Sequence, residues 1–147
     1  MYNKYRKLTL IGLVSFGLGL VADDVIRFAG VAEAQSSDRA FELRTYTTHP
    51  GRIEALHARF ANHTVELFER HGITNVGYFR PDDAALAENT LVYLIAHDSR
   101  ESAEASWAEF RADPEWQRAR EESQRDGQIV ENVESLFLSP THYSGMR

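Results

Sequence analysis

The chain has 147 residues, enough for one domain with its own core, and contains no cysteine, so disulfides, thiolate nucleophiles and thiolate metal or haem ligands are excluded. Beyond residue 34 there are twelve arginines, no lysine and nineteen acids. This balance excludes Schiff-base chemistry on a lysine and argues against nucleic acid as a partner.

The first 34 residues read as an export signal. Lys4, Arg6 and Lys7 make a basic start, Leu8 to Ala22 is a charge-free apolar run, and Ala32-Glu33-Ala34 has small residues at both positions that a signal peptidase reads. The run is shorter than the roughly 20 residues of a membrane span. Export to the periplasm or the medium, with cleavage after Ala34, is the expectation. An uncleaved N-terminal anchor is the alternative, because Asp23 and Asp24 lie inside the segment, and membrane association is expected only in that case.

Residues 35–40 form a polar, flexible lead-in. Phe41–Thr47 alternates with a period of two and predicts a strand that ends at Pro50-Gly51. Arg52 to His71 predicts a helix, with Ile53, Leu56, Phe60, Thr64, Leu67 and His71 on one stripe and Gly72 as a left-handed stop. Ile73–Arg80 is a second strand, in which Gly77 marks a weak point or a close backbone approach. Asn89–His97, apolar on both faces, predicts a central strand.

Asp98 and Glu101 suggest a capping pair for a helix carrying Ala103, Trp107 and Phe110. Asp113-Pro114 opens a further helical piece containing Trp116 and Ala119. Gln128–Leu138 is the last strand, and residues 140–147 are a tail. The order β-α-β-β-α-β is the split ferredoxin-like motif, an α+β fold with a four-stranded antiparallel sheet and its helices on one face.

Three segments carry a family resemblance. Phe41-Glu-Leu-Arg-Thr-Tyr-Thr-Thr-His-Pro-Gly-Arg52, His71-Gly-Ile-Thr-Asn-Val-Gly-Tyr-Phe79 and Phe110-Arg-Ala-Asp-Pro-Glu-Trp116 resemble NIPSNAP domains, in the expected order over residues 41–139. The resemblance implies a dimeric α/β barrel in which two ferredoxin-like sheets pack face to face. It belongs to a superfamily that includes cofactor-free monooxygenases, haem-degrading enzymes and simple ligand binders. It supplies no catalytic residues, and whether the chain is an enzyme stays open.

With Phe41, Leu43, Val92, Leu94 and Ala96 turned toward the helices, the other face would carry Glu42, Arg44, Tyr46, Tyr78, Tyr93 and His97. In a barrel dimer those six would line a cavity, with Tyr and His to move protons and Arg to hold an anion. The plainer reading, which is preferred, pairs Glu42 with Arg44 and uses the tyrosines to fill the interface. No metal site is expected: Glu54/His57 and His63/Glu66 diverge around the helix, and no cofactor motif is present. Trp107 and Trp116 read as core.

The expected function is small-ligand binding in the barrel. A cofactor-free monooxygenase or isomerase using the barrel-face Tyr, His and Arg, and a structural or partner-binding module, are the alternatives. A homodimer is expected because a sheet covered on one side would otherwise expose a face carrying Tyr46, Tyr78, Leu91, Tyr93 and Ile95.

Overall fold

The computed structural model describes residues 39–146. The segment read as an export signal or anchor lies outside the described residues. Four antiparallel strands, β1 (Ala40–Thr48), β2 (Thr74–Phe79), β3 (Thr90–His97) and β4 (Val130–Leu138), form one sheet in the order β2-β3-β1-β4. This is the ferredoxin-like arrangement. The strongly apolar β3 and the alternating β1 occupy the middle, as their patterns require.

The long helix is built in three parts: α1 (Ile53–Arg59), a π-helical turn (Phe60–Thr64) and α2 (Val65–Arg70). The Thr64 hydroxyl donates to the Arg59 carbonyl at 3.2 Å, occupying an acceptor inside the widened turn. Gly72 ends the helix at a φ of 71°, and Ile73 N–H returns to the Phe68 carbonyl at 2.9 Å. That 6→1 bond is the Schellman closure.

A short turn, α3 (Ala84–Ala87), links β2 to β3. Helices α4 (Arg100–Ala112) and α5 (Pro114–Ser123) follow β3. The cap of α4 falls one residue later than the sequence suggests. Ser99 Oγ accepts from Ser102 N–H at 3.0 Å and Ser102 Oγ accepts from Ser99 N–H at 2.8 Å, so a Ser–Ser box replaces Asp98 and Glu101. Asp113 caps α5 with Pro114 in its first turn, as the sequence indicates. Arg52 reaches across to the Ser123 and Gly127 carbonyls, tying the start of α1 to the end of α5.

The two faces of the sheet are assigned the opposite way from the sequence reading. Tyr93, Leu91 and Ile95 are buried under the helices with Leu56, Phe60, Leu67, Phe68 and Phe110. Glu42, Arg44 and Tyr46 alternate onto the same side in register with Ile95, Tyr93 and Leu91. The residues left bare are Phe79 (56% exposed), Leu136 (58%) and Leu138, with Leu43, Val92 and Leu94 partly covered.

Period-two alternation fixes which residues share a face, but not which face the helices choose. Here aromatic packing decides it. Phe60 meets Tyr93 at 5.2 Å, Phe68 meets Phe110 at 4.9 Å, and Tyr78 stacks on Tyr93 at 5.4 Å. The apolar set Phe41, Leu43, Val92, Leu94 and Ala96 therefore lies away from the helices. On that open side Phe79 folds back over Gly77, where a Cβ would sit 2.8 Å from its ring, and the β2–β3 register shifts between Asn75 and Gly77.

Candidate functional site

Strand alternation and the β1–β3–β4 register bring Glu42, Arg44, His97 and Ser135 together beneath α4. Glu42 is 1% exposed and its carboxylate is saturated. Oε1 accepts from Arg44 Nη1 at 2.6 Å and from Ser135 Oγ at 2.5 Å. Oε2 accepts from Trp107 Nε1 at 2.7 Å and from His97 Nε2 at 3.2 Å. Arg44 lies 4.4 Å over the Trp107 ring and 5.6 Å over Tyr46.

Burial alone would raise the Glu42 pKa. Hydrogen bonds from His97, Ser135 and Trp107, with the Arg44 charge, overcome it and hold the carboxyl down at about 2. Partial burial would lower the Arg44 pKa, yet Tyr93, Tyr46 and Glu42 beside it raise it above the ordinary value. Since the ionised carboxylate can only accept, His97 carries its proton on Nε2, and its buried Nδ1 has no partner among the described residues. With its oxygens filled by four donors, Glu42 is suited to locking three strands to a helix, not to taking a proton from a substrate.

Burial raises the pKa of Tyr93 well above the ordinary phenol value, reinforced by Tyr46. Tyr78 is raised by burial and by Glu69, and its hydroxyl donates to Asn75 Oδ1. Both are neutral phenols at physiological pH. Of the six residues singled out from the sequence, Glu42, Tyr93 and His97 are enclosed and Tyr78 is half-buried. Arg44 is half-buried as well, and Tyr46 lines a cleft.

That cleft, about 360 Å³, lies between β1, the start of β4 and helix α5. Its walls include Tyr46, Arg59, Trp116, Arg120, Val130 and Val133, with Gln124, Gln128, Glu131 and Asn132 completing it. Arg59 is 5% exposed and lies 5.3 Å over the Trp116 ring. Burial lowers its pKa, and the neighbouring Arg120 lowers it further. A second cleft of about 340 Å³ on the far side of Arg59 is lined by His63, Glu122 and Asp126 among others. A third, of about 250 Å³ and mostly apolar, lies on the open face between Phe41, Leu94, Leu138 and Met146.

Arg59, Arg120 and Ser135 were not among the candidates from sequence, and Trp116, which could stack a flat ligand, reads there as core. One signal was available: Arg59 directly precedes Phe60 on the edge of the apolar stripe, where a charge must be buried or turned aside. No group of three or more His, Asp or Glu residues gathers as a metal site among the described residues, and none of their helices is long and apolar enough to cross a membrane.

Comparison with known proteins supplies the lineage. No curated protein matches. A NIPSNAP family protein of unknown function from Agrobacterium tumefaciens superposes with a TM-score of 0.64 at 25% identity, over 76% of this chain and 96% of that one. An uncharacterised NIPSNAP-like domain protein from Burkholderia xenovorans gives 0.63 at 20% identity, over 74% and 90%. SnoaB, a cofactor-independent oxygenase from Streptomyces nogalater, shares the fold with a TM-score of 0.50 at 17% identity, over 71% and 95%. The NIPSNAP family model matches residues 41–145, nearly the whole described domain, and the chain therefore belongs to the NIPSNAP family.

Proposed function

We propose that this protein is a small-ligand binder whose site is the cleft beside Tyr46, and that it works as a homodimer joined through the open face of its sheet. The observation that carries the ligand reading is the cleft itself. It has a volume in the range of small-molecule sites, two aromatic walls, Tyr46 and Trp116, and one buried polar side chain, Arg59, in its lining. Tyr46 is the sequence candidate at that cleft, with Tyr93 and Arg44 packed against its ring.

The dimer reading rests on Phe79, Leu136 and Leu138, a bare apolar surface that a second copy would cover through a self-complementary two-fold contact. A cofactor-free oxygenase or isomerase would need a Tyr or His within reach of substrate, and Tyr46 stands in the wall of the cleft. Export with cleavage after Ala34 belongs to the same proposal; N-terminal sequencing of the protein recovered from the cell exterior or periplasm tests it.

Native mass spectrometry of the full chain as purified tests both parts together. A dimer mass carrying a small molecule that Trp116→Ala loses supports the reading. A monomer at high micromolar concentration rejects the dimer. A dimer that never carries or takes up a small molecule points instead to a structural or partner-binding module.

A further inference from the structure

Arg44, half-buried, and Arg59, buried, are two guanidinium groups drawn into one small domain, and they are treated differently. Arg44 has a buried carboxylate, Glu42, at 2.6 Å. Arg59 is more thoroughly enclosed and pairs with no carboxylate among the described residues. Its Nη1 has only the Ser123 hydroxyl, at a long 3.5 Å, and its Nε has no partner. A second cation, Arg120, stands beside it and lines the same cleft.

Two like charges converging on a cleft, one of them desolvated and unpaired, raise the energy of the empty site. An anion between them removes that penalty and gains charge-assisted, fork-shaped hydrogen bonds. The cleft is also the side from which an anion can enter with least opposition. The second cleft at Arg59 is lined by two exposed acids, Glu122 and Asp126, whereas the cleft beside Tyr46 has one, Glu131, also exposed.

Resting on the ligand-binding reading above, we propose that the ligand is a small organic monoanion, a carboxylate carried on a flat apolar body. The carboxylate sits on Arg59 and Arg120, and the body lies against Trp116 and Tyr46. Glu131 disfavours a second negative charge on the ligand. Val130 and Val133 on the sheet side complete an apolar seat for the body.

The test uses three probes on the full chain: benzoate, its neutral isostere benzamide, and inorganic phosphate. Each is followed by the Trp116 indole N–H resonance and by calorimetry at low salt. Benzoate is expected to shift the resonance saturably, and to bind about tenfold or more tighter than benzamide, the ratio expected of a charged hydrogen-bond pair. Arg59→Met should abolish that advantage without lowering the melting temperature, because it removes an unpaired buried charge. If Arg59→Met fails to fold, exposed Arg120→Ala decides, and should weaken benzoate while leaving benzamide unchanged.

Equal affinity for benzoate and benzamide overturns the anion inference and leaves a neutral-ligand site standing. Undiminished benzoate binding in Arg59→Met, or in Arg120→Ala where Arg59→Met does not fold, also overturns it. Phosphate binding as tightly as benzoate overturns the flat body. If none of the probes moves the Trp116 resonance, the anion inference fails, and native mass spectrometry separately decides whether the cleft holds any ligand.

Discussion

The indole N–H of Trp107 donates to the Glu42 carboxylate at 2.7 Å, across 65 positions of the chain. One hydrogen bond thus joins the first strand to the helix laid down two strands later. Glu42 takes its other donors from its own strand, from β3 and from β4, so the sheet and its helical cover share a single charged hub.

Acid should loosen that hub. The Glu42 pKa in the fold is about 2 against an ordinary 4.5, so the unfolded chain takes up the proton first as pH falls. The stabilisation is therefore complete above about pH 5 and is lost as pH drops through the folded value, an effect of about 3 kcal/mol. Urea midpoints measured from pH 7 to pH 2.5 should trace this loss. Trp107→Phe, which removes one donor, should raise the folded pKa, so that the decline starts at the same pH but ends at a higher one with a smaller total loss, and should cost about 1–3 kcal/mol at neutrality. A Trp107→Phe curve parallel to wild type would show that the indole does not hold the carboxylate down.

Tyr93→Phe should behave in the opposite way. The Tyr93 hydroxyl is buried beside Tyr46 and finds no partner of normal hydrogen-bond geometry, while its ring is held by Phe60, Tyr46 and Tyr78. Removing an unsatisfied buried hydroxyl leaves the packing intact, so stability should stay within about 0.5 kcal/mol or rise. A loss above about 1 kcal/mol in thermal unfolding would mean that the hydroxyl has a partner in solution.

Much of this architecture was legible from residue pattern. The Phe41–Thr47 alternation, Gly72, and Asp113-Pro114 each name a local event that backbone chemistry alone decides, and each falls where expected. The side of the sheet that the helices cover was not legible. Glu42 and Arg44 look like solvent-facing residues in a strand, and only the positions of Trp107 and Ser135, 65 and 93 residues away, make their burial tolerable. The tyrosines misled for the same reason. A phenol suits an interface or a core equally well, and Phe60 and Phe68, which settle the matter, belong to another element. Arg59 escaped notice because its burial depends on α5 folding across it, a tertiary fact with no local signature.

Asp113 offers a third test, at the joint between α4 and α5. Its Oδ1 accepts from Glu115 N–H at 2.7 Å, and its Oδ2 accepts from His71 Nε2 at 2.8 Å. The His71 hydrogen bond is the main cause of its lowered pKa. Asp113→Ala removes the cap and the tie to the end of α2, and should cost about 1–2 kcal/mol in chemical denaturation. Asp113→Asn keeps an acceptor for the cap and should recover roughly half of that. If both variants cost the same, charge matters at this joint and capping does not.

The π-helical turn at Phe60–Thr64 has a consequence for how this chain tolerates change in length. It holds one residue more than an α-helical path needs, so the two halves of the long helix are out of phase by about 100° relative to an uninterrupted helix. Losing one residue between 60 and 64 could be absorbed as a continuous α-helix, with no break in the chain. Such a deletion would leave Leu67 and Phe68 beyond the turn, and Ile53 and Leu56 before it, in their seats; a change that straightened the turn without removing a residue would instead swing everything before it about the axis by about 100°. Arg59 would then leave α5 and the cleft beside Tyr46. A deletion there can spare both fold and site, whereas a change that keeps the length and straightens the helix erases the site.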